Sequence, residues 1–177
     1  MSRRVTVAAL LAASTPAPLL AQWEAEADPL AYMVDGFSAH VARRVDDGRI
    51  RVQLGVFGAD VPEWLHGEDD FDLRVRGVTV KVDYFFAGRT SGPFIGLDAD
   101  YTKLRYSLEG SPETVERNLT GFGPRFGYRF EIGEHLYVTP WISVRYLFNA
   151  EDVVISGRQF SQDDYAVFPT VHLGWRF

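Results

Sequence analysis

Along most of this chain apolar and polar side chains alternate residue by residue, and the phase is held through long stretches. Between Tyr165 and Phe177, one parity carries Tyr165, Val167, Pro169, Val171, Leu173, Trp175 and Phe177; the other carries Ala166, Phe168, Thr170, His172, Gly174 and Arg176. A period of two puts successive side chains on opposite faces, so this is a strand with one apolar face. The pattern recurs at Gly121–Ile132, where Phe122, Pro124, Phe126, Tyr128, Phe130 and Ile132 oppose Arg125, Gly127, Arg129 and Glu131. It recurs again in Leu136–Phe148, Val78–Phe86, Ile95–Tyr101 and Ile50–Val56. Ordinary soluble strands run to about five or six residues, whereas a tilted strand needs roughly 9–11 to cross hydrocarbon. The polar parity also carries charges at strand centres: Arg51, Lys81, Asp83, Asp98, Asp100, Arg125, Arg129, Glu131, Arg145 and Arg176.

Two architectures fit such strands. A secreted soluble β-sandwich turns the apolar row to its core; a membrane barrel turns it to lipid and the charged row to its lumen. The N-terminus favours the second. Arg3 and Arg4 precede an apolar stretch over Val5–Ala13, too short to span a bilayer as a helix, and then Pro16, Pro18 and Leu19-Leu20-Ala21. This is the layout of a signal peptide over residues 1–21, leaving residues 22–177 as the mature domain. The chain of 177 residues holds one domain's worth of core. Without cysteine it has no disulfide or thiolate chemistry. Removing Arg3 and Arg4 from 18 basic residues leaves 16 against 24 acidic, a net charge of −8, which argues against nucleic acid as a partner.

The last strand, ending His172-Leu173-Gly174-Trp175-Arg176-Phe177, resembles the closing strand of bacterial outer-membrane β-barrels. The resemblance implies that Tyr165, Val171, Leu173, Trp175 and Phe177 form the signal read by the barrel-assembly machinery. In length and pattern the mature chain is similar to the small OmpA-like or opacity-protein-like barrels. The implied fold is all-β: a closed antiparallel up-and-down transmembrane barrel of about eight strands, with both termini in the periplasm and the protein in the cell outer membrane.

Connection lengths support that count. Read back from Phe177, Asn149–Asp164, Gly110–Asn118 and Gly58–Asp72 are long, while Ile132–His135, Gly88–Gly92 and Asp46–Arg49 are tight, the alternation of outer and periplasmic loops. Phe37–Val45 then descends, and an eighth strand ending at Leu30–Val34 is expected before it, joined by a type I′ turn at Asp35-Gly36. Alternatively, Asp28-Pro29 starts a short helix, and Val153–Ile155 with Arg158–Phe160 supplies barrel strands. The apolar parity shifts between Val75 and Val78 and between Tyr101 and Leu104; Gly77 suggests a bulge at the first, and departure from hydrocarbon suits the second. Pro124, Pro140 and Pro169 interrupt the ladder, and bulges are expected there too.

An eight-stranded barrel is filled by its own side chains, so the inward charges are expected to pair into a salt-bridge plug, with a narrow gated conduit as the alternative. A lipid-modifying enzyme is a third reading, for which Ser38, His40 and Asp98 are the candidate residues; no local motif fixes them, and no catalytic residue or cofactor is assigned. The expected partners are outer-membrane lipids and lipopolysaccharide. An acidic surface loop holds Asp60, Glu63, Glu68, Asp69 and Asp70 around Trp64-Leu65; its spacing matches no calcium loop. His66 and His135 read as solvated loop residues.

Overall fold

The computed structural model describes residues 23–68, 70–86 and 91–177. The expected signal peptide, Asp69 and residues 88–90 of the Gly88–Gly92 turn lie outside the described residues. The strands are β1 (Trp23–Ala27), β2 (Phe37–Val45), β3 (Ile50–Val61), β4 (Phe71–Phe85), β5 (Gly92–Leu108), β6 (Thr114–Ile132), β7 (Leu136–Phe148), β8 (Val153–Ile155), β9 (Arg158–Phe160) and β10 (Tyr165–Arg176). Eight of them close into an antiparallel up-and-down barrel, with β1 hydrogen-bonded to both β2 and β10. β8 and β9 pair only with each other, as a hairpin in the β7–β10 connection rather than as barrel strands.

The long rows settle the choice between barrel and sandwich. Val80, Val82, Ile95, Leu97, Phe126 and Val144 face outward and are exposed, while Arg51, Lys81, Asp83, Asp98, Arg125 and Arg129 face inward and are buried. Among the described residues, no two of these apolar rows pack against each other across a sheet interface as a sandwich requires.

Register sets the barrel's shape. Glu26 pairs with His40, then Gly55, Thr79, Asp100, Gly121 and Leu147 follow in turn. Leu147 donates its N–H to the carbonyl of Asp164, and the β1–β10 register places 164 opposite position 36. The circuit thus closes ten residues above Glu26, a stagger that tilts eight strands by about 40°.

No bulge occurs at Gly77, which pairs in unbroken register with Phe57 and Thr102. The parity never shifts there; the polarity inverts. On β4 the inward row reads Phe71, Leu73, Val75, Gly77, Thr79, Lys81, Asp83, and the outward row changes from Val78 and Val80 to Arg76, Arg74 and Asp72. β5 does the same above Tyr101, with Lys103 and Arg105 outward and Leu104 and Tyr106 inward. These strands therefore leave the apolar belt and continue into water with an ordinary apolar interior. The prolines also lack bulges: register is constant along β6–β7, and the ladder merely has gaps at Pro124 and Pro140.

The first strand differs from its expectation. β1 is Trp23-Glu24-Ala25-Glu26-Ala27, ended by Asp28-Pro29, and Ala31–Val34 forms a 3-10 turn instead of strand. Asp35 alone takes the left-handed conformation (φ 49°), so Asp35-Gly36 is not a type I′ turn. Gly36 N–H caps the 3-10 turn on the Ala31 carbonyl, and a Cβ at Gly36 would strike the Gly58 carbonyl. The outer connections are also shorter than expected. β6 begins at Thr114 rather than beyond Asn118, and β3 and β4 include Asp60 and Asp72. The wall is consequently lopsided: β5 and β6 have 17 and 19 residues, β1 and β2 only 5 and 9.

Candidate functional site

The lumen is crossed near the end that holds the N- and C-terminal strand ends by an ionic layer centred on two glutamates that the sequence reading missed. β1 is too short to announce itself, yet its alternation places Glu24 and Glu26 inward, both buried. Glu24 accepts from Arg44 Nε (2.6 Å), Arg51 Nε (2.7 Å), Arg129 Nη1 (2.8 Å) and Tyr137 Oη (3.3 Å). Glu26 accepts from Gln53 Nε2 (2.5 Å), pairs with Arg51 and Arg129, and lies 2.8 Å from His172 Nδ1. Arg51 also reaches Asp83 at 3.1 Å. The guanidinium of Arg129 lies over the Tyr137 ring at 3.8 Å, and Arg44 over Phe85 at 4.7 Å. Glutamates and arginines buried in this way are tolerable only because they are paired with opposite charge.

Of the expected lumenal charges, Arg51, Asp83 and Arg129 join this layer. Asp100 is held higher, accepting from Arg145 (2.5 Å) and Thr102 (2.7 Å). Asp98 accepts from Thr79 at 2.8 Å. Arg125 lies 3.4 Å from Asp83, with its guanidinium 4.2 Å from the Trp141 ring; Lys81 Nζ is 4.9 Å from that ring. Glu131 and Arg176 do not belong to the buried layer: they pair with each other at 2.9 Å, partly exposed, at the mouth beside the C-terminus. Inward glycines make room for the long side chains. A Cβ at Gly55 would collide with His40, and one at Gly174 with Tyr137.

The other end is closed by apolar packing. Val153, Ile155 and Phe160 of the β8–β9 hairpin are buried against Phe71, Leu73, Leu104, Tyr106 and Leu119 of the tall wall. Tyr106 donates to Gln162 at 2.8 Å, and Glu113 of the β5–β6 connection accepts from Ser156 at 3.2 Å. His66 lies against Phe160 with the rings tilted and their centroids 5.5 Å apart, and His135 stacks on Trp175 at 5.1 Å, so neither is merely a solvated loop residue.

The enzyme candidates come together only in part. Ser38 Oγ is 2.8 Å from His40 Nε2. The other ring nitrogen, Nδ1, has no hydrogen-bond partner among the described residues, and Asp98 is bound to Thr79 instead of to His40. An orienting carboxylate is what such a pair requires. The acidic rim residues are engaged individually: Arg74 donates to Asp60 at 2.5 and 2.8 Å, Arg158 pairs with Asp70 at 3.1 Å, and Glu68 accepts from the Ser161 N–H at 3.3 Å. Among the described residues, no three His, Asp or Glu side chains converge as a metal site would need. Glu63, Trp64 and Leu65 lie on a short helix, α1 (Glu63–His66), with Trp64 79% exposed.

No family model and no curated protein matches this sequence. Solved structures do. Neisserial surface protein A superimposes with a TM-score of 0.55 at 14% identity, over 88% of this chain and 95% of its own. A major outer membrane protein from Thermus thermophilus gives 0.58 at 15%, over 88% and 99%. The N-terminal β-barrel domain of Pseudomonas aeruginosa OprF gives 0.51 at 10%, over 89% and 98%. At these identities the likeness is one of fold, and the chain has the fold of these outer-membrane barrels.

Proposed function

We propose that this protein is an integral outer-membrane barrel that does not conduct, serving a structural or surface-interaction role through its extracellular rim. The observation that carries this reading is the buried layer in which Glu24 and Glu26 bind Arg44, Arg51 and Arg129 across the lumen. Among the described residues the lumen holds six carboxylates (Glu24, Glu26, Asp28, Asp83, Asp98, Asp100) and six cations (Arg44, Arg51, Lys81, Arg125, Arg129, Arg145). That balance leaves no net field to draw one sign of ion through. In this orientation the ends joined by β1 and β10 face the periplasm, and the tall β4–β6 wall stands above the lipopolysaccharide headgroups. Exposed Trp64 and Leu65 and the charged outer rows of that wall are then the surfaces that meet lipopolysaccharide or another cell. The outward residues Tyr165, Val171, Leu173, Trp175 and Phe177 serve in assembly by the barrel-assembly machinery. Planar-bilayer recording of the refolded protein tests the closed lumen: no stepwise conductance is expected, and a steady ohmic step would overturn it.

A further inference from the structure

The barrel wall is incomplete at one place, and what lies behind the break is unusual. β1 pairs with β10 only up to Ala27 and Leu173, whereas β10 continues to Tyr165 bonded on its β7 side alone. Beyond Ala27 the ladder gives way to two stitches through Asp28. Its N–H donates to Ser38 Oγ (3.1 Å) and its carboxylate accepts from Thr170 Oγ1 (2.5 Å). Above these, no hydrogen bond among the described residues joins the 29–36 segment to β10, since that segment leans the other way, with Gly36 pressed on Gly58 of β3. Phe168 registers the gap: it occupies the lumenal row of β10, 5.7 Å from the Trp141 ring, yet is 39% exposed. Outward neighbours at this height are Ile142, Val144, Val167 and Pro169, so the break opens within the apolar belt.

Behind Phe168 runs the lumenal row of β7. Four successive members carry a buried polar atom without a hydrogen-bond partner among the described residues: Thr139 Oγ1, Trp141 Nε1, Ser143 Oγ and Arg145 Nε. Thr139, Trp141 and Ser143 are all at least nine-tenths buried. Buried donors left unmatched cost roughly 1–3 kcal/mol each, and four in line call for an acceptor-rich occupant. On the lipid side a shallow apolar hollow of about 720 Å³ starts at Leu30 beside the break and runs over Pro169 and Val171 of β10 and Pro140 and Ile142 of β7 to Phe126 and Tyr128 of β6. An oxyanion can meet the donors while a hydrocarbon tail lies in the hollow. A free phosphate or acetate would leave the hollow unused, and a two-chain phospholipid is too broad for a break one strand wide.

We infer that the break between β10 and β2 admits a single-chain amphiphile with a carboxylate or phosphate head. The head lies along Trp141, Ser143 and Arg145, and the tail lies over Pro169 and Val171. This site does not depend on whether the lumen conducts.

Fluorescence quenching tests it. The protein carries Phe at Trp23, Trp64 and Trp175, leaving Trp141 as sole reporter, in nanodiscs of zwitterionic phospholipid. The probe is 2-bromohexadecanoate, whose bromine adjoins the carboxylate. Saturable quenching of Trp141 is expected, relieved by hexadecyl phosphate and by hexadecanoate but not by equal acetate or inorganic phosphate. Ser143→Val should weaken binding about 3- to 10-fold, the value of one hydrogen bond. Val171→Phe, which fills the hollow without touching the lumen, should weaken it as well and remains informative if the lumenal variant misfolds. Quenching linear in probe, or unchanged in Val171→Phe, overturns the proposal. Displacement by acetate or phosphate alone also overturns it, since the site would then bind a water-borne anion.

Discussion

The two ends of this lumen are closed by opposite chemistries. The half nearest Trp23 and Arg176 is an ionic layer inside an apolar belt, while the half beneath the β8–β9 hairpin is an apolar cluster inside a charged wall. The same strands build both, with the same register and the same inward parity. What changes is the medium outside. Where hydrocarbon surrounds the wall, polar groups have only the interior to go to, and they must satisfy one another there. Above the belt, water surrounds the wall, and burial favours Phe71, Leu104, Tyr106 and the hairpin residues Val153, Ile155 and Phe160. A residue's parity therefore names its side of the wall, and its polarity names the height.

The largest effect should come from breaking the ionic layer. Glu24→Ala leaves Arg44, Arg51 and Arg129 without their shared acceptor. The loss of one partner of a buried pair costs about 3–5 kcal/mol. Urea unfolding of the barrel in vesicles, followed by heat-modifiable gel mobility, should register a destabilisation of that order. A loss below about 1 kcal/mol would mean that water reaches this layer.

The border between the halves can be located next. Leu97 is outward and within the belt, and Leu97→Arg should cost roughly 2–4 kcal/mol, as a cation on a lipid face does near mid-membrane. Lys103, three outward positions higher on the same strand, is already charged and exposed. Lys103→Leu should change stability by less than about 0.5 kcal/mol. Equal effects at the two positions would erase the border.

The β8–β9 cap should be separable from the barrel. Phe160→Ala removes an aromatic side chain packed on Phe71 and Tyr106, a change worth about 3 kcal/mol in a cooperative core. Because β8–β9 pairs only with itself, we expect the change to appear as local opening. Proteolysis should become faster between Glu151 and Asp163, while the barrel's unfolding midpoint moves by less than about 1 kcal/mol. A full shift of the global midpoint would make the hairpin part of the barrel's cooperative unit.

The sequence exposed this division unevenly. The rows of β3 to β7 and β10 are long enough for period two to be unmistakable, and the direction of each row followed from strand length, the signal-peptide layout and the aromatic C-terminus. The inversion at Gly77 was visible too, but read as a slipped phase, because a pattern of polarity cannot tell a bulge from a change of solvent. β1 was out of reach for another reason. Five residues carry too few alternations, and the signal in Glu24 and Glu26 lies in partners as distant as Arg129, 105 residues from Glu24, and His172, 146 residues from Glu26. The apolar hairpin residues Val153, Ile155 and Phe160 gave no clue to whether they join the barrel or roof it. Only register decides that.

A surface ion pair gives the most direct check on the role of the medium. Asp60 and Arg74 form a two-point ion pair at 2.5 and 2.8 Å, in better geometry than several pairs of the lumenal layer. Both side chains are about half exposed, on the outer face of the tall wall above the apolar belt. Chemistry alone would rank the pair beside Glu24 and Arg51. Solvent exposure predicts otherwise, since water competes for both groups and salt screens them, holding such pairs to less than about 1 kcal/mol. A double-mutant cycle with Asp60→Ala and Arg74→Ala should return a coupling in that range, shrinking further in high salt. Were the coupling to approach the loss expected at Glu24, the strength of the lumenal layer could no longer be assigned to its dry surroundings, and the contrast between the two halves would lose its physical basis.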